Sequence, residues 1–263
     1  MGSEETMVSL EHVSAGYAEG VALQNVSISV RRGEFLGIIG PNGAGKTTLF
    51  KLVLGLMRPA SGSVEVLGYA GRDVQKARPR LGYLPQREEI DSRSLGSVLD
   101  VVLMGRYSRI GLFRRVRAHD REIALAALAQ VRMSAFASYP IGHLSAGQQQ
   151  RVLVARTLAQ EPDILLLDEP TTALDVATQQ ELIHIIGEIH RTLGLTILFI
   201  THDINILIGL ADRVLYINRR LYAIGPPKEI LTEEMLTEMY GHEVTILTRP
   251  DGRPCVIVGD SHA

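Results

Sequence analysis

Cysteine is nearly missing from this sequence: Cys255 is the only one among 263 residues. A lone thiol excludes an intramolecular disulfide and any cysteine-cluster metal site, and it fits a reducing compartment. An excess of one charge is missing too, since 27 Lys plus Arg stand against 29 Asp plus Glu, for a formal net charge of -2 and a pI near 6.5. No whole-chain field therefore draws the protein to nucleic acid or anionic lipid. Long apolar runs are lacking as well. The longest, such as ILLL at 164–167 and LTILFI at 195–200, fall far below the roughly 18 to 20 residues that a helix needs to cross a bilayer. The opening MGSEETMVSL is acidic and polar, where a secretory signal would put a basic region before an apolar one, so export by that route is not expected. The eight histidines show no ligand spacing, which argues against a histidine metal site. If the chain works at a membrane, a partner must hold it there.

What is present is apolar patterning. With 46% hydrophobic residues the chain can fill a sizeable core, and its length suits one large α/β domain or two small ones. In the opening third, VALQNVSISV puts Val26, Ile28 and Val30 on one strand face, and Arg31, Arg32, Gly33 and Glu34 make a turn. FLGIIG then reads as a buried strand, followed by a glycine-rich loop, a helix over about 46–54 that stops near Gly55, and a strand signal, SVEVLG, from Ser63. From about Gln86 to Gln160 helical patterns take over, with REIALAALAQV at 121–131 rich in strong helix formers, and this stretch reads as a helical insertion. DILLLDEP, the helix-like ATQQELIHIIGEIHRTLG, the strand TILFI and the helix-like INILIGLADR then alternate, which predicts a mostly parallel sheet covered by helices. From Gly241 onward VTIL and CVIV flank RPDGRP as a small terminal hairpin.

Three motifs carry chemistry. The first is GPNGAGKTT, that is Gly40, Pro41, Asn42, Gly43, Ala44, Gly45, Lys46, Thr47 and Thr48, which satisfies G-x-x-x-x-G-K-[ST] between an apolar strand and a helix. The glycines let the backbone curl so that its N–H groups point at phosphate oxygens, Lys46 brings a positive charge to the outer phosphates, and Thr47 offers a hydroxyl to Mg²⁺. The second is ILLLDEP at 164–170, whose aliphatics suit a strand buried on both faces. Its carboxylates fall at the carboxyl end of the strand, where open α/β sheets bind ligands. Asp168 is placed to orient the Mg²⁺ shell, and Glu169 to polarise an attacking water as general base. An acidic strand terminus or an N-cap in DEPT is the plainer alternative. The third is LSAGQ, with Leu144, Ser145, Ala146, Gly147 and Gln148, in which Ser145 and Gln148 form a capping box ahead of a helix. It is an ordinary helix start unless the Ser145 hydroxyl and the Gly147 N–H point at a phosphate.

LSAGQQQRVLVARTLAQEPDILLLDEPTTALD closely resembles the signature and Walker B region of ABC transporter ATPases, with the phosphate loop, their Walker A, at the expected distance upstream. The resemblance covers nearly the whole chain and implies a P-loop NTPase fold of ABC type, with a mostly parallel sheet core, an N-terminal antiparallel β part and the helical insertion. It implies an ATPase domain over 1–240, with the insertion at about 87–160, and a short C-terminal extension at 241–263. Tyr17 in SAGYAEG is similar to the aromatic that stacks on adenine, Gln86 in YLPQ to the Q-loop glutamine that joins Thr47 and Asp168 at Mg²⁺, and His202 in FITHD to the switch histidine. Ala173, Leu174 and Asp175 are similar to the D-loop. Two departures stand out: Ala146 where the common signature has glycine, and Thr172 where serine is usual. Ala146 tolerates its Cβ if its φ is helical.

The family pairs the phosphate loop of one copy with the signature of another, so the resemblance implies a head-to-tail dimer with two ATP molecules in its interface. It further implies separate transmembrane permease subunits, an external substrate-binding protein acting indirectly, no nucleic acid partner, and a peripheral position on the cytoplasmic face of the membrane. LPQREEIDSRS, VVLMGRYSRIGLFRR and LYINRRLYAIGPP look most like ATPases of manganese, zinc or iron importers. An importer of another solute, such as an iron chelate, and a soluble ABC ATPase acting on nucleic acid or ribosomes are the alternatives. The arginines of RYSRIGLFRRVR read either as a solvated face or as a docking surface.

Overall fold

The computed structural model describes residues 5–18, 20–86, 96–111, 114–240, 244–248 and 254–258. In chain order the elements are β1 (Thr6–Tyr17), β2 (Gly20–Arg31), β3 (Phe35–Ile39), α1 (Lys46–Val53), β4 (Ser61–Val66), β5 (Tyr69–Ala70) and β6 (Leu81–Leu84). There follow α2 (Val98–Met104), α3 (Tyr107–Ile110), α4 (Ala118–Gln130), α5 (Ala146–Leu158), β7 (Ile164–Asp168) and α6 (Val176–Leu193). The last stretch holds β8 (Thr196–Ile200), α7 (Ile204–Ile208), β9 (Arg213–Asn218), β10 (Arg220–Gly225), α8 (Pro227–Ile230), α9 (Glu233–Tyr240), β11 (Val244–Thr248) and β12 (Pro254–Val258). These elements form two compact units, one of residues 1–77 and 196–263, the other of residues 78–195.

In the first unit, β2, β1, β4 and β5 make an antiparallel sheet in that order. Val26, Ile28 and Val30 are buried while Ser27, Ser29 and Arg31 face out, the period-2 pattern of a strand with one covered face. The expected turn closes with Glu34 N–H donating to Arg31 O at 3.2 Å, and Gly33 supplies the left-handed residue at φ 70. Here β3 runs parallel to both β8 and β9, and β9 pairs antiparallel with β10. Every residue of β3 and β8 is buried, as an aliphatic run covered on both faces requires. Each fully buried Leu, Ile or Phe there contributes about 1.5 to 3 kcal/mol as an upper estimate. Gly37 in mid-strand lets Leu207 of α7 sit against the sheet, since a Cβ there would lie 2.7 Å from the Leu207 methyls. The terminal hairpin forms as expected from β11 and β12.

In the second unit β6 and β7 pair in parallel from Leu81 with Ile164 to Leu84 with Leu167. An Arg80–Asp163 ion pair at 2.6 Å and the Asp163 N–H bond to Arg80 O at 2.8 Å fix that register. Helix α5 packs on β6, and α2, α4 and α5 pack on one another. Val152, Ala155 and Ala159 are buried on α5, as their shared face predicts.

One expectation is corrected. INILIGLADR is helical only over Ile204–Ile208; the chain turns at Gly209 and Leu210, and Arg213 already belongs to β9. Asp212 N–H donates to Phe35 O at 2.9 Å, the Asp212 carboxylate accepts from Phe35 N–H at 2.8 Å, and Arg213 pairs with Leu36, so the end of the segment belongs to the sheet. Among the arginines of RYSRIGLFRRVR, Arg109, Arg114, Arg115 and Arg117 are exposed, whereas Arg106 is 5% exposed and donates to Ala159 O at 2.8 Å and to the Glu161 carboxylate at 2.7 Å, with Asp120 at 3.3 Å. Arg109 donates to Gln160 O and Glu161 O. Both guanidinium groups therefore satisfy carbonyls at the end of α5, where the helix dipole favours positive charge. Leu112 and Phe113 of that segment, and residues 87–94 of LPQREEIDSRS, lie outside the described residues. Among the described residues no helix is long and apolar enough to cross a membrane.

Candidate functional site

In the first unit the loop between β3 and α1 is shaped by backbone. Gly40, Gly43 and Gly45 adopt φ of 155, 78 and 98, and Gly45 is the N-cap of α1. At Gly40 a Cβ would run into the Ile217 carbonyl oxygen, and at Gly45 into the Leu23 side chain and the Ala22 carbonyl, so two of the three positions have no room for a side chain. Gly43 has open space around it and needs only the positive φ. The loop is braced by Ala44 N–H to Pro41 O at 3.1 Å and by Arg219 N–H to Ala44 O at 2.8 Å. Pro41 is half-buried and Asn42 exposed at the loop tip. Lys46 is buried and donates through Nζ to Gly40 O at 2.7 Å and Pro41 O at 3.0 Å, which holds its ammonium over the loop. Thr47 is exposed and Thr48 buried in the first turn of α1.

Tyr17 ends β1 with half its surface open. Lys51 Nζ donates to its hydroxyl at 3.0 Å, and Thr48 Oγ1 lies 3.4 Å from that oxygen. The bond from Lys51, then that from Thr48, lower the phenol's pKa from its ordinary value. Such an exposed, oriented ring is able to stack on a flat base. His202 is exposed after β8, whereas its neighbour Asp203 takes the capping role, accepting from Asn205 N–H at 3.0 Å.

In the second unit side chains do the shaping. Asp168, at the end of β7, is 3% exposed, and Glu169 follows at φ 49, a left-handed conformation uncommon outside glycine. Gln86 Nε2 donates to Glu169 Oε2 at 2.8 Å, and the Thr172 hydroxyl donates to the same oxygen at 3.2 Å. Burial, with Asp168 adding its negative charge, pushes the Tyr83 phenol up to about 12. Ala173 is also left-handed at φ 67, Leu174 N–H donates to Thr171 O, and Asp175 caps α6. Thr178 donates its hydroxyl at 2.6 Å and its N–H at 3.0 Å to the Asp175 carboxylate, which holds that carboxyl below the usual range.

The signature segment folds as its capping box requires: Gln148 N–H donates to Ser145 Oγ at 3.3 Å and Ser145 N–H to Gln148 Oε1 at 3.0 Å. Leu144 is buried beneath it, while Ser145 and Ala146 are exposed. Ala146 opens α5 without positive φ, so its Cβ is accommodated at no backbone cost. Thus Gln86, Glu169 and Thr172 form one hydrogen-bonded cluster, and Lys46, Tyr17 and Thr48 belong to the loop of the other unit. Sequence reasoning missed the parts played by Thr172, Tyr83, Lys51 and Thr178. Only Thr178, three residues after a capping aspartate, left a local signal.

Thr47 in the first unit, and Asp168 and Gln86 in the second, each offer oxygen donors of the hard type that Mg²⁺ takes, so the chemistry of each fits that ion. Among the described residues no cluster of three or more His, Cys, Asp or Glu could hold another metal.

Comparison with known proteins matches residues 23–172 to the family described as ABC transporter. The manganese transport system ATP-binding protein MntB of Bacillus subtilis is 42% identical over 240 residues, covering 91% of this chain and 94% of that protein. A solved metal-chelate type ABC transporter in an inward-facing conformation superposes with TM-score 0.85 at 30% identity, covering 98% of this chain and 99% of that one. A dimeric ATP-binding cassette in a post-hydrolysis state with ADP and Pi gives TM-score 0.70 at 30% identity, covering 84% and 99%.

Proposed function

The chain belongs to the ABC transporter family and is an ATPase, and from that premise we propose that it powers an importer of a transition-metal ion (manganese, zinc or iron) from the cytoplasmic face of the membrane. The observation that carries the substrate is the 42% identity, over nearly the full length of both chains, to a manganese transport ATP-binding protein. Relatives matched over this length are transport subunits, which leaves the nucleic-acid alternative without support.

Residue roles follow from the motifs. The backbone N–H groups of residues 40–48 and the Lys46 ammonium bind the phosphates of ATP, and Tyr17 stacks on the base. Thr47, Asp168 and Gln86 would hold Mg²⁺, whose charge would offset that of the phosphates. Glu169 takes a proton from the attacking water, and His202 contacts the outer phosphate. The Gln86 bond to Glu169 supports this reading, because it holds the proposed base in one orientation. A second copy supplies Ser145 and Gly147, with Leu144, Ala146 and Gln148 forming their helix start, and its Ala173, Leu174 and Asp175 as D-loop. The dimeric relative with ADP and Pi supports an assembly of two copies. Separate permease subunits and an external binding protein complete the transporter. The ATPase domain spans 1–240 with its insertion at about 87–160, and residues 241–263 are an extension.

Cells lacking this chain, complemented with wild type or Glu169→Gln, test the proposal through manganese, zinc and iron content under limiting supply. Wild type restores one metal and the variant does not. Unchanged content of all three, with loss of a metal chelate or another solute, would refute the substrate.

A further inference from the structure

Gly147 is buried in the first turn of α5, and the space its side chain would fill is occupied by the Cγ2 methyl of Thr178 on α6. Thr178 Cβ and Oγ1 would lie 3.3 and 3.6 Å from a Cβ at 147, so the clash is with the methyl branch alone. The other branch of the same residue, the hydroxyl, donates to Asp175 Oδ2 at 2.6 Å, and its N–H donates to Oδ1 at 3.0 Å. One turn further along, Arg151 on α5 pairs with Glu181 on α6 at 2.8 Å, so the two helices hold the same register beyond this contact. A methyl therefore sets the signature turn and a hydroxyl sets the D-loop, both on one residue outside either motif.

We infer that Thr178 is a positioning residue that ties the signature turn to the D-loop, and that Gly147 lacks a side chain because Thr178 fills that space. This rests on the head-to-tail reading above, in which a copy presents both segments to the phosphate loop of its partner. With Thr178 in place the two segments move as one piece. Without its hydroxyl the D-loop loses the donor to Asp175 from a side chain. Without its methyl the signature turn loses the surface it leans on.

The test uses the full chain carrying Glu169→Gln as reference, with ATP-driven dimer formation followed by sedimentation and ATP affinity measured at protein concentrations where it stays monomeric. Gly147→Ala raises the ATP concentration for half-dimerisation by at least about fivefold through overpacking. Adding Thr178→Ser removes the methyl but keeps the hydroxyl, and returns that concentration to within about threefold of the reference. Thr178→Val keeps the shape, loses the hydroxyl, and weakens dimerisation about tenfold with monomer ATP affinity unchanged. The thermal midpoint should fall for Gly147→Ala and recover in the Gly147→Ala, Thr178→Ser pair. A pair no better than Gly147→Ala alone would mean that glycine is required for phosphate approach only, and overturns the inference. So does a Thr178→Val chain that dimerises like the reference. A reference chain that stays monomeric with ATP sinks the dimer reading and the positioning role with it, while thermal recovery of the pair would still uphold the packing of Gly147 on Thr178.

Discussion

The phosphate loop and the segment after β7 solve similar problems with different materials. Around residues 40–48 the geometry is held by main chain: positive-φ glycines, the Ile217 and Ala22 carbonyls against them, and the Arg219 N–H on Ala44 O. After β7 the left-handed positions are Glu169 and Ala173, and the geometry is held by the Gln86 amide and the Thr172 and Thr178 hydroxyls. Phosphate binding needs a fixed array of N–H donors that no side-chain change disturbs. Water activation needs a carboxylate that can be oriented and released, which side-chain hydrogen bonds of modest net strength allow. The first arrangement is therefore rigid and the second is adjustable.

Substitutions should break the two regions in different ways. The largest effect is expected at Glu169→Gln, which keeps shape and hydrogen bonding but removes the proposed base: ATP turnover should drop by on the order of 10² to 10⁴ while ATP binding persists. Near-normal turnover with the permease present would remove Glu169 from its role. Next comes Lys46→Ala, which deletes one charge from a loop otherwise built of backbone and should weaken nucleotide affinity about 10- to 100-fold. Equal affinity together with equal turnover would argue against a phosphate-binding loop.

The same lesion sharpens the comparison when mixed. Ser145→Asp keeps a capping side chain on α5 but puts negative charge where, in the proposed dimer, the signature would meet phosphate. A dimer of one Lys46→Ala chain and one Ser145→Asp chain concentrates both lesions in one composite site and leaves the other intact. Such an isolated heterodimer should regain tight ATP binding at one site, which neither homodimer has; absence of any recovery would speak for sites contained in single chains. Smaller still, Tyr17→Ala should weaken ATP affinity by about two- to tenfold through lost stacking. An unchanged affinity for ATP relative to free triphosphate would exclude base contact.

The smallest effect concerns Asp175. Its folded carboxyl titrates below its unfolded value, so its contribution is present above the unfolded pKa and fades as pH falls through the lowered one. Asp175→Ala should lower the thermal midpoint at neutral pH, and the difference from wild type should vanish on acidification. A difference that grew in acid would contradict the hydrogen bonds from Thr178.

Much of the architecture was legible because it rests on short-range rules. FLGII, ILLLD and TILFI are fully buried strands, Lys46–Val53 is a helix that ends before Gly55 at φ 61, and Ser145 with Gln148 closes its box. What escaped was long-range. The Gln86 to Glu169 bond spans 83 residues, and Arg106 finds Glu161 across 55, distances over which no periodic pattern carries information.

The sequence by itself determined that FLGII, ILLLD and TILFI would be buried strands and that a helix would follow the glycine-rich loop, and that a phosphate-loop motif, a carboxylate pair and a capped helix start occur in one chain. Residue spacing and local backbone chemistry suffice for that, because a glycine's φ, a cap or an aliphatic run acts within a few residues. Only the tertiary structure decided that Arg106 closes the end of α5 instead of facing solvent, that Glu169 is oriented by Gln86 and Thr172, and that the methyl of Thr178 fills the space beside Gly147. Those contacts arise when packing brings distant residues within van der Waals or hydrogen-bond reach, and close packing then fixes which atom occupies each space.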